Sequence, residues 1–305
     1  MNEFEFIEWI RQNRVKDAHV SVGPGDDCAA VRMGGRDLVI SIDTVAENIH
    51  FAEGTDPYRI GWKAAASSLS DIAACGCEPV GIVAACLIPQ GRGGEYLHSL
   101  FKGLEDVCVL FGIGVTGGDM SRSINEMAVT VTSFGSLHEQ GMITRSGARP
   151  SDRVFVTGSL GDSQSGSHLT FYPRIKEALR LRDICQLNSM IDISDGLFSE
   201  LNHISKESGV GIEVDLSSVP LSASVKNRYK ESTKEQYIHA LCDGEDFELL
   251  FTVSSETARE LEQKWDMDVP VTQIGLCTEP TGRVEIKPDS FEIDPASLKA
   301  YIHEL

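Results

Sequence analysis

Acidic residues recur beside glycine or serine at six places along the chain: Gly25-Asp26-Asp27, Ser41-Ile42-Asp43-Thr44, Ser70-Asp71, Gly117-Gly118-Asp119, Asp192-Ile193-Ser194-Asp195-Gly196 and Gly244-Glu245-Asp246. Each stands near the end of a β-rich run or a helical pattern, so the chain must fold with charged element ends rather than plain turns. Taken singly, every island has an ordinary explanation as a turn or a helix cap. Jointly they say more, because carboxylates gathered by folding repel one another unless a multivalent cation sits among them. Several Mg²⁺ ions are the expected resolution.

The segments between the islands alternate in type. Residues 38–44 form a β-rich run after the Gly23-Pro24-Gly25 turn and Gly34-Gly35, and deliver Asp43 at its end. A helix follows, with Asp56 as N-cap, Pro57 at its first position and Gly76 just past its end. Asp71 falls in its last turns, where the macrodipole disfavours negative charge, so it is either solvated or neutralised by a cation, and its neighbours favour the cation. Residues 80–87 predict a buried strand. Next, Leu97, Leu100, Phe101, Leu104, Val107, Cys108 and Phe111 recur at helical spacing and predict a core helix stopped by Gly112. A short strand, 113–116, runs into Gly117-Gly118-Asp119, and 127–134 predicts another strand.

The second half repeats the style without sequence repetition. Strand 153–157 leads into a strand-to-helix turn at 158–163, and 190–193 leads into Ser194-Asp195-Gly196. A helix marked by Leu197, Leu201 and Ile204 closes at Gly209, and 212–216, 247–253 and 271–275 predict further strands. With 305 residues, two α/β domains are expected, residues 1–138 and 139–305.

Several function classes are disfavoured. No apolar run approaches the roughly 20 residues of a membrane span, and the N-terminus lacks a signal-peptide pattern, so a cytoplasmic protein is expected. The eight cysteines lack CxxC spacing and are expected to be buried small hydrophobes. Asp and Glu total 46 against 27 Lys and Arg, a net charge of −19, which repels nucleic acid and anionic lipid. A phosphorylated ligand would therefore need compensating cations. P-loop, GxGxxG and protein-kinase signatures are all missing. A triphosphate would be held through metal bridges and backbone N–H groups of the turns at 117–118 or 158–161. Among basic residues Arg145 is best placed, as a phosphate contact or else a solvated surface arginine; His50 and Lys63 are further phosphate candidates, though a lone histidine is often structural.

At these residues the chain resembles the thiamine-monophosphate kinase family, within the superfamily of aminoimidazole ribonucleotide synthetase. The match runs in order through Gly25-Asp26-Asp27-Cys28-Ala29, Ser41 to Thr44, His50-Phe51, Leu69-Ser70-Asp71-Ile72-Ala73-Ala74, Gly117-Gly118-Asp119, Thr144-Arg145-Ser146-Gly147-Ala148, Asp192 to Leu197, and Gly244-Glu245-Asp246-Phe247-Glu248-Leu249. The resemblance implies a two-domain aminoimidazole ribonucleotide synthetase-like α/β fold. It also implies a homodimer whose N-terminal domains jointly form a β-barrel, with ATP at that interface. The implied reaction is direct transfer of the ATP γ-phosphoryl group to thiamine monophosphate, giving thiamine diphosphate and ADP.

By motif match, Asp27, Ser41, Ile42 (through its carbonyl), Asp43, Asp71, Asp119, Asp192 and Asp195 would be metal-associated. Gly118, Asp119, Arg145 and Ser194 would face ATP; His50, Glu245 and Tyr301 would face the thiamine phosphate. Asp43, Asp119 and Asp195 would carry the transfer itself. No general base is needed, because the acceptor phosphate is already ionised. Ser68, Met120 and Phe247 depart from the residues usual in the family, and the stretch 162–190 is shorter than its counterpart. The alternatives are a ligase of the same superfamily that phosphorylates an amide oxygen, or a non-catalytic nucleotide-binding homologue.

Overall fold

The computed structural model describes residues 3–15, 17–280, 282–287, 293 and 298. The N-terminal lobe contains α1 (Glu3–Asn13), β1 (Val20–Val22), β2 (Ala29–Met33), β3 (Arg36–Ala46), α2 (Pro57–Ala74), β4 (Glu78–Pro89), α3 (Gly94–Val109), β5 (Val115–Ser123) and β6 (Ala128–Ser136). The C-terminal lobe contains β7 (Arg153–Thr157), α4 (Ile175–Ile184), β8 (Ser189–Asp192), α5 (Leu197–Ser208), β9 (Gly211–Asp215), α6 (Ala223–Arg228), α7 (Thr233–Cys242), β10 (Leu249–Val253), α8 (Ser255–Lys264), β11 (Val271–Thr278) and β12 (Val284–Lys287). Each lobe has one six-stranded mixed sheet, ordered β1-β2-β3-β6-β4-β5 and β12-β9-β11-β7-β10-β8.

One face of the first sheet is covered. Val39, Ser41 and Val45 of β3, Val129 and Val131 of β6, and Ile82, Ala84 and Cys86 of β4 are buried, and α2 packs on β3, β4 and β6. The two helices α2 and α3 touch through glycine: a Cβ on Gly61 would lie 2.0 Å from the Leu100 carbonyl oxygen, and one on Gly103 2.0 Å from that of Tyr58. Small residues fill 64–68 of α2, where the Ser68 hydroxyl donates to Ser133 Oγ on β6 and the Ser133 hydroxyl donates to the Ser68 carbonyl. The second face of this sheet is open, with Ile42 64% and Leu87 47% exposed.

α2 joins the lobes. Its Ala66 and Leu69 share a hydrophobic core with Ile175 and Leu181 of α4 and with Phe155, Met190 and Phe251 of the second sheet; Phe155 and Phe251 stack at 5.6 Å.

The structure corrects several expectations. Gly117-Gly118-Asp119 lies inside β5, paired in register with β4, rather than beyond the strand. Phe101 is 51% exposed, because the buried face of α3 is the narrower stripe of Leu100, Gly103, Leu104, Val107 and Cys108; Leu97 and Phe111 pack at its margin. The turn after β7 leads into two 3₁₀ turns, Ser163–Ser165 and Ser167–Leu169, and the next α-helix starts only at Ile175. Cys242 is partly exposed; the other seven cysteines are buried. Among the described residues the first sheet is open and closes no barrel.

Candidate functional site

A cleft of about 680 Å³ runs between the lobes, lined by Asp43, Thr44, His50 and Asp71 on one side and by Asp192, Ser194, Asp195, Gly244, Glu245 and Phe247 on the other. Chain direction explains the first side. The alternation of β3 turns Ser41 and Asp43 toward the helix-covered face, and α2 ends there with Ser67, Ser70 and Asp71. From the other lobe β8 stops at Asp192, and the chain passes Ser194 and Asp195 before entering α5.

Carboxylate oxygens of Asp27, Asp71 and Asp192, drawn from three distant parts of the chain, all lie within 4.8 Å of one another. The Ser41 hydroxyl donates to Asp71, and Ser70 Oγ donates to Asp192 Oδ2 at 2.6 Å. Burial raises the Asp43 pKa to about 6, with Asp27 adding repulsion and a hydrogen bond with Asp71 opposing the rise. Burial, then Asp27, raises Asp192 to about 8. Asp71 is pushed well above the ordinary carboxylate range by burial and by Asp43, Asp192 and Asp27. Such a group either retains protons or surrounds a cation. Its all-oxygen donors, with adjacent serine hydroxyls, suit a hard divalent ion such as Mg²⁺.

Arg145 is tied in rather than solvated. Its Nε and Nη2 donate to Asp27 Oδ1 at 3.1 and 2.6 Å, and its backbone N–H donates to Asp26 Oδ1 at 2.8 Å. Burial works against its charge, but the Asp27 carboxylate more than offsets this and its pKa is raised. The arginine thereby fixes one edge of the acidic group.

Across the cleft Lys63, fully buried in α2, ion-pairs with Glu245 and donates from Nζ to the His50 carbonyl at 2.7 Å. Ala46 N–H donates to His50 Nδ1 at 3.1 Å, and Gln164 Nε2 donates to Glu245 Oε2 at 2.5 Å. Glu245 and Phe247 have φ of +65° and +50°, a region unfavourable for non-glycine residues. Glu245 N–H to the Ser194 carbonyl (2.6 Å) and Phe247 N–H to the Ile193 carbonyl (2.8 Å) hold the strained segment in place. The Asp246 carboxylate anchors it further by accepting from Gly161 N–H.

Not every expected residue joins this site. Asp119, Ala85, Thr130 and Thr44 are paired in one row across β5, β4, β6 and β3. At about 4.8 Å per strand the Asp119 backbone is roughly 14 Å from that of Thr44. Its position shares a face with Thr44 and Thr130, whereas Asp43 is opposite the buried Val131. Asp119 and Gly118 are therefore not gathered with Asp43, Asp71 and Asp192 within one chain. Close sheet packing also explains Gly118, where a Cβ would lie 2.0 Å from the Ala84 carbonyl oxygen. Ile42 presents its side chain on that same open face.

In the 158–161 turn most backbone donors are taken up. Gly158 N–H donates to Pro270, Leu160 N–H to Pro220 and Gly161 N–H to Asp246, so those donors are engaged within the fold. Tyr301 lies outside the described residues.

Four further groups support the site: Asp26 and Ser70, both inside the acidic islands; Gln164, for which the sequence carries no signal; and buried Glu200, whose carboxylate accepts from Asp195 N–H at 3.0 Å. Lys63 faces Glu245 instead of standing open to the cleft.

Known proteins resemble this chain in sequence and fold. The model of the AIR synthase related protein N-terminal domain matches residues 25–137, and that of the corresponding C-terminal domain matches residues 135–287. Thiamine-monophosphate kinase of Haemophilus influenzae is 33% identical, the alignment covering 92% of this chain and 91% of the relative; that of Bacillus subtilis is 33% identical over 95% of each. The chain belongs to the thiamine-monophosphate kinase family.

A solved structure described as AaThiL complexed with AMPPCP and TMP superposes with a TM-score of 0.84 at 29% identity, covering 99% of this chain and 97% of that one. Family membership thus extends through both lobes. The hydrogenase maturation protein HypE of E. coli shares the fold, with a TM-score of 0.70 at 17% identity.

Proposed function

We propose that the protein transfers the γ-phosphoryl group of ATP to the phosphate of thiamine monophosphate, giving thiamine diphosphate and ADP, in the cytoplasm and with Mg²⁺ in the acidic cleft. The observation that carries this is the convergence of Asp27, Asp71 and Asp192 at a cleft that His50 and Glu245 also line. Relatives named thiamine-monophosphate kinase, and the AaThiL complex with AMPPCP and TMP, support this substrate pair.

In this scheme Asp27, Asp43, Asp71 and Asp192, with the Ser41 hydroxyl and Asp195 at their border, hold the cations. Bound Mg²⁺ supplies the neutralisation that two phosphate-bearing anions need in order to approach. Arg145 keeps Asp27 fixed in orientation, and Ser194, at the entrance to α5, faces the nucleotide. His50 and Glu245 orient the acceptor, and the strained backbone at Glu245 holds that carboxylate against the cleft. A loose phosphoryl-transfer transition state is governed by positioning and charge, so no side chain is assigned as a base.

We further propose a homodimer formed through the open face of the first sheet, where Ile42 and Leu87 are exposed. Two such sheets facing each other would build the barrel that one open sheet lacks. Gly118 and Asp119 occupy β5 at its edge, so their roles toward ATP and metal, and that of the Ile42 carbonyl, depend on this assembly.

The test incubates purified protein with ATP, Mg²⁺ and thiamine monophosphate and follows products by chromatography, with EDTA and free thiamine as controls. Equal yields of thiamine diphosphate and ADP, only with metal and the monophosphate, are expected. ATP binding without thiamine diphosphate would overturn the assignment in favour of the ligase or the non-catalytic homologue.

A further inference from the structure

A second cavity, of about 340 Å³, lies where the connection between the lobes passes α4; Gln140, Met142, Thr144, Arg182, Leu187 and Asn188 line it. Arg182, in the last turn of α4, is only 6% exposed. Its Nη2 donates to the Gly141 carbonyl at 2.8 Å. Among the described residues, its Nε and Nη1 have no hydrogen-bond partner.

Among the described residues no carboxylate answers this charge. The titratable groups acting on Arg182 are the thiols of Cys77 and Cys75, both raised by burial, Cys77 to about 12, and therefore neutral near pH 7. The C-terminus of α2 contributes a partial negative charge of roughly half a unit at most, and no acceptor for the two free nitrogens. On the α2 side the packing is close: a Cβ on Gly76, whose φ is +61°, would lie 2.8 Å from Nη1, so glycine there is what admits the guanidinium. A guanidinium does not shed its proton, and a buried cation lacking a partner is strongly disfavoured.

We propose that this cavity binds a small oxyanion, a phosphate or carboxylate group, on the free Arg182 nitrogens. The site is distinct from the catalytic cleft and built into the lobe connection. Ile143 N–H donates to the Cys75 carbonyl at 3.0 Å, and Arg145, which clamps Asp27, follows directly. An anion here would tie the connection to α4 and to the end of α2.

The test compares thermal unfolding of the full-length wild type and Arg182→Met in EDTA, with 20 mM phosphate or malonate against chloride at matched ionic strength. A site of sub-millimolar affinity raises the wild-type Tm by about 4 °C. The variant should shift by less than about a quarter of that. Response to one probe alone identifies the class of oxyanion. Selenate-soaked crystals of the wild type give a readout independent of the variant's folding, with an anomalous peak expected beside Nε or Nη1. Equal shifts in both proteins, or no peak at Arg182, would overturn the proposal. A peak without a difference in shift would mark an adventitious ion only and overturn it as well.

Discussion

Removing the two charges of the Lys63–Glu245 pair, singly and together, separates its structural and catalytic contributions. Lys63 is wholly enclosed, while the Glu245 side chain is 15% exposed. Removing one partner from a buried pair costs about 3–5 kcal/mol. Lys63→Met should lie near the lower end, about 3 kcal/mol, because Glu245 keeps the Gln164 amide and some water, although the His50 carbonyl also loses its donor. Glu245→Gln should cost at least as much, since it strands the ammonium. Burial already lowers the Lys63 pKa and Glu245 opposes that shift, so the variant's pKa should fall further. A lysine with a depressed folded pKa destabilises the protein below that pKa and ceases to do so as pH rises, so the deficit of Glu245→Gln should shrink toward pH 10. The double variant should be more stable than the sum of the single effects by about 1–3 kcal/mol. Urea unfolding of all four proteins measures this. A cost under about 1 kcal/mol for Lys63→Met, or strict additivity, would refute the assignment. Thiamine diphosphate formation should fail in the double variant despite its recovered stability, because Glu245 faces the cleft.

The acidic cluster gives a prediction of opposite pH sense. Asp192 and Asp43 have folded pKa values near 8 and 6 against an ordinary aspartate value of 3.8; metal-free stability should therefore fall as pH rises from about 4 to 8. Mg²⁺ displaces those protons, so at 5 mM it should add little stability at pH 5 and about 1–3 kcal/mol at pH 8. Calorimetric scans that gave equal metal stabilisation at both pH values would exclude a cation there. On α3, Leu104→Ala should cost about 2–4 kcal/mol, whereas Phe101→Ser should change stability by no more than about 0.5 kcal/mol in the monomer; comparable losses in urea melts would contradict the assigned burial.

Local signals made part of this molecule legible. Asp56, Pro57 and Gly76 mark the limits of α2 because caps act through adjacent atoms, and 38–44 alternates because one face of β3 is buried. The islands also announced Asp71 and Asp192, since strand and helix ends are where a chain can present charge to a cleft. Sheet order is another matter. Nothing in the spacing of Asp43 and Asp119 reveals that β6 and β4 intervene. Register with β4 likewise drew Gly117 and Gly118 into a strand against their low β-propensity. The 158–161 turn looked open because its acceptors, Asp246 and the carbonyls of Pro220 and Pro270, come from elsewhere in the chain. Arg182 would read as a favourable charge at a helix C-terminus; its burial arises only when α4 meets α2 and the lobe connection.

Charge accounting then limits how the proposed substrates can arrive. A protein of net charge −19 has placed three carboxylates within 4.8 Å of one another, and Arg145 is already committed to Asp27. Free ATP would bring a further negative triphosphate to that cleft, where burial strengthens repulsion between like charges. Serine hydroxyls on Asp71 and Asp192 orient the cluster without neutralising it. Cation and nucleotide must therefore bind with strong positive coupling, and linkage makes the effect reciprocal: the factor by which Mg²⁺ raises ATP affinity equals that by which ATP raises Mg²⁺ affinity. Above pH 8, where Asp192 is ionised without metal, Asp192→Asn should weaken this coupling while lessening the repulsion that metal-free ATP meets. Titrations of ATP with and without Mg²⁺ on that variant would show the two affinities converging, an outcome that a cluster serving only the fold could not produce.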